Sequence, residues 1–431
     1  MFAWGTTLLL GRQLARAQVE ITEFAIPTPS SRLVSITAGP DGNLWFLEET
    51  YNALNGTPTG VVGRMTLSGT ITEFPIREEQ LDALSITSGA DGNVWFLENV
   101  AHKVGRVTPS GTITEFNVPE TGADLVGLVT GADGNLWFLR RYFNNDIVRM
   151  TTTGQLTSFS LGPETLGGLD MVAGADGALW FTELNRNGVD IGRMTTDGVA
   201  SRFPVPAANL GTITFGPDNT VWFVERDTFR NIAHIAHMTL DGMLDEFHIP
   251  PGHGPSYNEP YDLAVADDGN LWFTYCCEPF VGRMTPQGDL TEIPLPPDDP
   301  NGEPYAITRG PDGNVWFVEE YGGKIARITT PAPTPTFTPT ATSTLTPTAT
   351  PTASPTETAL PTGTVTPTAT QTMVSSDSRG CAIGRAKGGV GTGVPLWPFA
   401  LLLLRRRTRR RPAALEKRGL AGRRSRKCGA G

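Results

Sequence analysis

Short apolar runs separated by Gly-rich turns recur along most of this chain and predict β-strands. The first complete unit reads as strand A from Val34 to Thr37, strand B from Leu44 to Glu48, strand C from Val61 to Thr66 and strand D from Ile71 to Ile76. Gly-Pro-Asp-Gly joins A to B, and Asp-Gly between two apolar runs is a strong hairpin signal because Gly accepts a positive φ. The 3.6-residue period of paired helices is absent, so a helical solenoid is excluded.

This four-strand unit is repeated seven times. The block DGNLWF recurs with small changes, and its Trp residues are spaced 42 to 50 residues apart, as expected for propeller blades of four short strands. The repeated Trp residues are Trp45, Trp95, Trp137, Trp180, Trp222, Trp272 and Trp316. The pattern predicts an all-β, seven-bladed β-propeller over residues 19–330.

The order of the strands also predicts how the ring closes. The first recognisable segment, Ile21 to Phe24, has the sequence of a strand D, whereas the last, Lys324 to Thr329, has that of a strand C. Pairing the two would complete the seventh blade and remove the free edges that an open array would leave.

Charge separates this body from both ends of the chain. Residues 19–330 hold 17 basic and 41 acidic residues, a net charge of -24 within a whole-chain charge of -10. An acidic body argues against nucleic acid as a partner and is compatible with cations or cationic ligands. Four Cys without metal-ligand spacing predict neither a zinc site nor a disulfide framework, and adjacent Cys276 and Cys277 fit buried thiols or a vicinal disulfide.

The two ends predict export and attachment. Residues 1–18 combine a short apolar run with Ala15-Arg16-Ala17, a small-x-small pattern typical of signal peptide cleavage sites, although a basic start is missing. Residues 331–380 are rich in Thr and Pro and predict a disordered stalk. Residues 381–431 hold Cys381, an apolar run and an Arg cluster.

This C-terminal order resembles the sorting signals of myxobacterial surface proteins, in which the Cys region becomes the anchor. The apolar run from Val394 to Leu404 is short for a membrane span of about 20 residues. The resemblance implies Cys381 as the anchor point and a protein that is secreted or held at the bacterial cell surface. A disordered basic tail is the alternative. We expect a monomer.

Loops at one face of the ring are candidates for ligand binding. Residues before strand A and after strand B share this face, here called the top face, and three long insertions fall on it in blades 1, 6 and 7. Binding residues concentrate in such loops on a rigid scaffold. His253 lies in one of these insertions and is a candidate ligand-binding residue.

Counting from an A–B turn centred near Pro311 places Glu303 opposite Glu319. Like charges so placed are destabilising unless a cation or a proton is shared, which makes the two Glu a candidate metal site. The same count pairs, in blades 1 to 6, Arg32/Glu48, Asp82/Glu98, Asp124/Arg140, Gly167/Glu183, Asn209/Glu225 and Glu259/Tyr275. Glu48, Glu259 and Tyr275 are therefore further candidates for ligand binding.

Two Tyr residues break the repeat beside this pair. Two residues into strand A, the other five blades have an apolar residue or Gly, whereas blades 6 and 7 have Tyr261 and Tyr305. Each Tyr fits either simple packing with a solvated hydroxyl or a group that faces a ligand.

These motifs resemble the virginiamycin B lyase family, whose blades carry a similar PDGNxWFTE block with IGRIT and ITEF strands. The resemblance covers residues 21–330 and implies Mg²⁺ held by two Glu, matched by Glu303 and Glu319, and a His base that opens a cyclic depsipeptide ester by elimination. Tyr305 and Tyr261 occupy the two positions at which the family has His. A Tyr of ordinary pKa near 10 is ionised only about one part in a thousand at pH 7, so the change weakens a role as base.

Three functions fit the sequence. The first is a surface-tethered propeller that binds a small molecule or a peptide on its top face near a divalent cation. The second is an active Mg²⁺-dependent lyase that uses Tyr305 in place of His on streptogramin B-like depsipeptides. The third is an adhesin or scaffold without a small-molecule site.

Overall fold

A computed structural model describes most of the chain between residues 19 and 330 and confirms the seven-bladed β-propeller. The described ranges are 19–28, 31–51, 58–76, 85–119, 122–141, 145–216, 218–227, 232–250, 259–275, 278–296 and 302–330. They form seven antiparallel sheets of four strands each. Within these ranges no helix has the length and apolarity needed to cross a membrane.

The strands follow one another around the ring in chain order. Those from the ring-closing strand to blade 3 are β1 (Glu20–Ala25), β2 (Arg32–Ala38), β3 (Leu44–Tyr51), β4 (Pro58–Met65), β5 (Ile71–Pro75), β6 (Ile86–Ser88), β7 (Val94–Glu98), β8 (Lys103–Val107), β9 (Ile113–Asn117), β10 (Asp124–Thr130), β11 (Leu136–Arg141), β12 (Asp146–Met150) and β13 (Leu156–Ser160). Those of blades 4 to 7 are β14 (Thr165–Ala173), β15 (Leu179–Asn185), β16 (Gly188–Met194), β17 (Ala200–Val205), β18 (Asn209–Phe215), β19 (Val221–Asp227), β20 (Ile232–Met238), β21 (Leu244–Ile249), β22 (Pro260–Val265), β23 (Leu271–Tyr275), β24 (Phe280–Met284), β25 (Leu290–Pro294), β26 (Pro304–Arg309), β27 (Val315–Glu319) and β28 (Lys324–Thr329).

The repeated Asp fixes each A–B turn to the strand that follows it. In blade 1, Trp45 Nε1 donates to Asp41 Oδ1 at 2.9 Å, and the same bond recurs in five further blades. Gly42 takes a φ of 75°, the left-handed conformation that this short loop requires. The repeated block thus encodes both the turn and the position of the Trp ring.

Each blade packs its Trp face against the next blade. In blade 1, Trp45 and Leu47 join Val94 and Phe96 of blade 2 in one buried cluster. Equivalent clusters fill the contacts between all other neighbouring blades, including blades 7 and 1. Because successive side chains of a strand point to opposite faces, the Trp and the Phe of each WF pair serve different neighbours.

A strand C cation covers the Trp in most blades. The Arg64 guanidinium lies 5.8 Å from the Trp45 ring and 5.9 Å from the Phe74 ring, distances at which a cation is attracted to aromatic faces. In blade 5 His237 takes this place, with its ring 4.7 Å from that of Trp222. His237 is therefore a packing residue of strand C, in the position that Arg takes in the other blades.

Strand β1 closes the ring as the sequence predicts. It pairs with β28 from Glu20 opposite Thr329 to Ala25 opposite Lys324. The Phe24 ring stacks on Trp316 with centroids 5.6 Å apart. The last blade therefore depends on residues from both ends of the propeller sequence.

We expect Phe24→Ala to lower the free energy of unfolding by roughly 2–3 kcal/mol, somewhat less than the loss of a fully buried Phe. Phe159→Ala is the matched control, because Phe159 makes the same stacked contact with Trp137 at 5.3 Å inside blade 3. Denaturant unfolding should give similar losses for both variants. A neutral Phe24→Ala beside a destabilised Phe159→Ala would contradict closure by β1.

Candidate functional site at the central channel

Strand A carries a β-bulge where it lines the central channel. In blade 7, Pro304 pairs with Glu319 and Ile307 pairs with Phe317, so three steps along β26 match two along β27. The same shift occurs in blades 1, 3, 4, 5 and 6. A bulge of this kind re-aims the side chains beyond it.

The pairs that we counted from the sequence are therefore wrong in blades 1 and 3 to 7, whereas Asp82 of the blade 2 pair lies outside the described residues. The A–B turn of blade 7 is centred on Asp312, since Gly310 N donates to Asn314 O at 2.8 Å, and the bulge then shifts the register by one residue. As a result Glu320 N, not a group of Glu319, bonds to Glu303 O at 2.9 Å. The corrected pairs in blades 1, 3 and 5 are Arg32/Glu49, Asp124/Arg141 and Asn209/Arg226.

Glu319 is consequently the cross-strand partner of Pro304, not of Glu303. Its side chain is fully buried, lies on the same strand face as Phe317 and stands opposite Lys324. Lys324 Nζ bonds to Glu23 Oε2 at 2.7 Å, so a cation lies on this side of Glu319. Mg²⁺ at Glu303 and Glu319 stays a prediction of the family resemblance.

Glu48 and Tyr275 occupy the equivalent place in blades 1 and 6 and are also buried away from the channel. Tyr275 is 1% exposed, and its hydroxyl donates to Glu292 at 3.0 Å. Glu48 is fully buried opposite Val61, and neither of its carboxyl oxygens has a hydrogen-bond partner among the described residues. Neither side chain is placed to meet a ligand at the top face.

Arg32 lies at the top mouth of the channel, where blades 7 and 1 meet, and it bonds to side chains of both blades. Its guanidinium bonds to Glu49 at 2.9 Å and to Glu320 at 2.6 Å. It also donates to the Tyr305 hydroxyl at 3.3 Å and lies 5.5 Å from the centre of that ring. Two carboxylates thus hold a cation directly over Tyr305.

The structure brings Tyr261 and Tyr305 together. The Tyr261 hydroxyl donates to the Tyr305 hydroxyl, and the ring centroids are 4.2 Å apart. Burial raises the pKa of Tyr305, and burial together with the neighbouring Tyr305 raises the pKa of Tyr261. Both hydroxyls are therefore neutral at physiological pH, and the Tyr305 oxygen already accepts two hydrogen bonds.

Further charged pairs stand around the mouth. Arg226 approaches Glu259 at 3.2 Å and donates to the Pro260 carbonyl at 3.2 Å, so Glu259 links blade 6 to blade 5. Arg141 bonds to Asp124 at 3.0 Å in blade 3. Glu259 thus lies at the mouth, as the sequence predicts, but as the partner of an Arg.

A cavity of about 460 Å³ occupies the channel. Strand A residues of all seven blades line it, and Arg141, Arg226, Tyr261 and Tyr305 are among its lining side chains. Cavities of about 300–1,000 Å³ with a few convergent polar groups are typical small-molecule sites. The cavity is therefore large enough for a small organic molecule or for part of a peptide.

Two carboxyl groups in the channel wall join adjacent blades. Asp170 accepts from Met171 N of its own strand and from Ile213 N of blade 5, at 2.8 and 3.1 Å. Asp262 accepts from Leu263 N and from Ile307 N of blade 7 in the same way, at 2.9 Å each. Both Asp bind backbone N–H groups beside the bulges, which explains an acidic residue inside the channel without any ligand.

Thr212 lies between these two Asp residues. Its hydroxyl is 2.8 Å from Asp170 and 3.3 Å from Asp262. Burial, with a contribution from the charge of Asp170, raises the pKa of Asp262 to about 7. Sequence reasoning missed Asp170, Thr212 and Asp262, although the position that follows Tyr261 and Tyr305 can be aligned in all blades as Ser35, Ser85, Gly127, Asp170, Thr212, Asp262 and Ala306.

Several predicted features lie outside the described residues. They are the signal peptide in residues 1–18, His253, the Cys276–Cys277 pair, the stalk and the tail with Cys381.

Comparison with known proteins agrees with this architecture. The virginiamycin B lyase family matches residues 6–165 and 140–349. A streptogramin B lyase structure is 29% identical, covers 72% of this chain and 97% of its own, and superposes with a TM-score of 0.61. A catalytically inactive virginiamycin B lyase from Staphylococcus aureus with quinupristin is 30% identical, with 73% and 100% coverage and a TM-score of 0.62. No curated protein matches.

The fold and the channel define a closed seven-bladed propeller with a ligand-sized cavity at its axis. The family match covers well over half of the chain. The chain belongs to the virginiamycin B lyase family.

We expect the buried Glu48 to make the free energy of unfolding depend on pH. Burial, reinforced by the charge of Glu73, raises the pKa of Glu48 from 4.5 to about 7. Between these values the folded state keeps a proton that the unfolded state has lost, so stability falls as pH rises from about 4.5 to about 7 and then levels. Glu48→Gln should flatten this profile and raise stability at pH 8 by on the order of 3 kcal/mol.

Glu98→Gln is the matched control for this prediction, because Glu98 occupies the same position in blade 2 but stands opposite Lys103. We expect it to destabilise the protein at pH 8. Thermal unfolding at a series of pH values measures both variants. A Glu48→Gln profile that runs parallel to that of the wild type would show that Glu48 is ionised in the folded protein.

Proposed function

We propose that this protein is a ligand-binding propeller of the virginiamycin B lyase family that takes a small molecule or a peptide in the top mouth of its channel and does not catalyse lyase chemistry. The bonded Tyr261–Tyr305 pair carries this proposal. A general base needs a free lone pair and a pKa near the working pH. Tyr305 has neither, because burial raises its pKa and both Arg32 and Tyr261 donate to its oxygen, and burial also raises the pKa of Tyr261.

The cavity supports the binding half of the proposal. Guanidinium groups of Arg141 and Arg226 line it, and such groups donate hydrogen bonds to carbonyl and carboxylate oxygens. The two Tyr rings add a flat aromatic surface on one side. This combination suits an acceptor-rich ligand with an apolar part, such as a peptide or a depsipeptide.

The catalytic half is tested by incubating the full chain with quinupristin and MgCl₂. We expect the cyclic compound to persist at high protein concentration, with a known streptogramin B lyase as the positive control. Elimination conserves mass, so chromatographic retention and fragmentation must separate the intact ring from the opened isomer. Ring opening that depends on Tyr305, lost in Tyr305→Phe, would establish an active lyase instead.

The binding half is tested by calorimetric titration with quinupristin as the probe. Tyr305→Ala should weaken binding at least about tenfold, which corresponds to about 1.4 kcal/mol. Tyr321→Ala is the control, because Tyr321 is 60% exposed and is not among the residues that line the cavity. Equal affinities for the two variants would place the ligand elsewhere, and no binding would favour a plain scaffold.

The proposal includes export and attachment to the cell envelope. Its support is the sequence of residues 1–18 and of the Thr/Pro-rich and Cys-containing segments after residue 330. Protease treatment of intact cells should release the propeller, and Cys381→Ala should move it from the cells to the medium. Protection of the propeller in intact cells would contradict export.

A further inference from the structure

Blades 2 and 7 carry a charge cluster at the same place, where strands B, C and D meet near the top face. In blade 2, Lys103 lies between Glu98 and Glu115, with Nζ 2.8 Å from Glu115. In blade 7, Lys324 is related in the same way to Glu319 and Glu23. These blades place one cation beside two carboxylates.

Blade 5 keeps both carboxylates and replaces the Lys with His. Glu225 of β19 stands opposite His234 of β20, and Glu246 follows on β21. One ligand atom from each of these three side chains lies within 4.8 Å of the other two. Three neighbouring strands of one sheet thus present one imidazole and two carboxylates to a single point.

Glu225 indicates that this point needs a cation. Its side chain is 4% exposed, and its Oε1 atom has no hydrogen-bond partner among the described residues. A buried carboxyl oxygen without a partner is costly, and in blades 2 and 7 a Lys stands at the corresponding point.

We propose that Glu225, His234 and Glu246 bind a divalent transition-metal ion of the Zn²⁺ class. Imidazole nitrogen and carboxylate oxygen are both ordinary Zn²⁺ ligands, whereas Mg²⁺ and Ca²⁺ take oxygen ligands. Three protein ligands leave a fourth position for water. His248 lies directly opposite His234 on β21, with ring centroids 5.3 Å apart.

The ion has a structural role in this proposal. It would join β19, β20 and β21 at the point where a Lys joins the equivalent strands of blades 2 and 7. The site runs from the buried Glu225 to the exposed Glu246 of blade 5 and shares no residue with the channel cavity. It is therefore independent of the ligand proposed for the top mouth.

His234→Lys is the decisive variant, because it installs the residue that two other blades carry at this position and should fold. The full chain, purified without a His tag and stripped with a chelator, is titrated calorimetrically with ZnCl₂. We expect the wild type to have one site that His234→Lys lacks, with a loss greater than the roughly 10–100-fold caused by removing an outer-shell partner. Other Cys and His residues bind Zn²⁺ equally in both proteins and cancel in the comparison.

Two further measurements complete the test. ZnCl₂ should raise the Tm of the wild type but not that of His234→Lys, and Co²⁺ should give visible absorption only in the protein that retains His234. His237→Asn is the control, because His237 lies on the same strand but bonds to Asp245 at 3.1 Å, and it should behave like the wild type. Equal Zn²⁺ binding by wild type and His234→Lys, or binding of Mg²⁺ in preference to Zn²⁺, would overturn the proposal.

Discussion

The packing of each blade's Trp face against the Phe face of the next blade is the constraint on which the rest of this structure depends. Every sheet is covered on both sides by a neighbour, so both faces of strand B are buried. The ring has no exposed sheet edge at its closure, because β1 completes the last blade. A polar side chain within these interfaces must therefore find a partner inside the protein.

The buried charges between blades follow from that constraint. Lys103 and Lys324 each place a positive charge beside a pair of Glu residues, and the uncharged Tyr275 hydroxyl donates a hydrogen bond to Glu292. In blades 1 and 5, Val61 and His234 stand where the Lys would be. Burial raises the pKa of Glu48 in blade 1, which favours its protonated form, and in blade 5 we infer a metal ion.

The strand A bulges determine what reaches the channel. They shift strand A by one residue against strand B, so Arg32 stands opposite Glu49 and bonds to Glu49 and Glu320 at the mouth. This arrangement places a cation over the Tyr pair at the position where the family resemblance implies a basic His. The family fold is kept, while the residues at its axis differ from those that the resemblance implies.

The sequence by itself determined the fold, because seven copies of a Trp-containing hairpin leave few alternatives and each turn is encoded by local residues such as Asp41 and Gly42. It also located Tyr261 and Tyr305, since a comparison of repeats shows which positions differ. It did not determine which side chains share a face near the channel. A bulge adds one residue without a clear signal in a single strand, and shifting a strand by one residue moves every later side chain to the other face. Only the tertiary structure therefore decided that Glu303 and Glu319 are not cross-strand partners, that Arg32 bonds to Tyr305, and that Glu225, His234 and Glu246 converge.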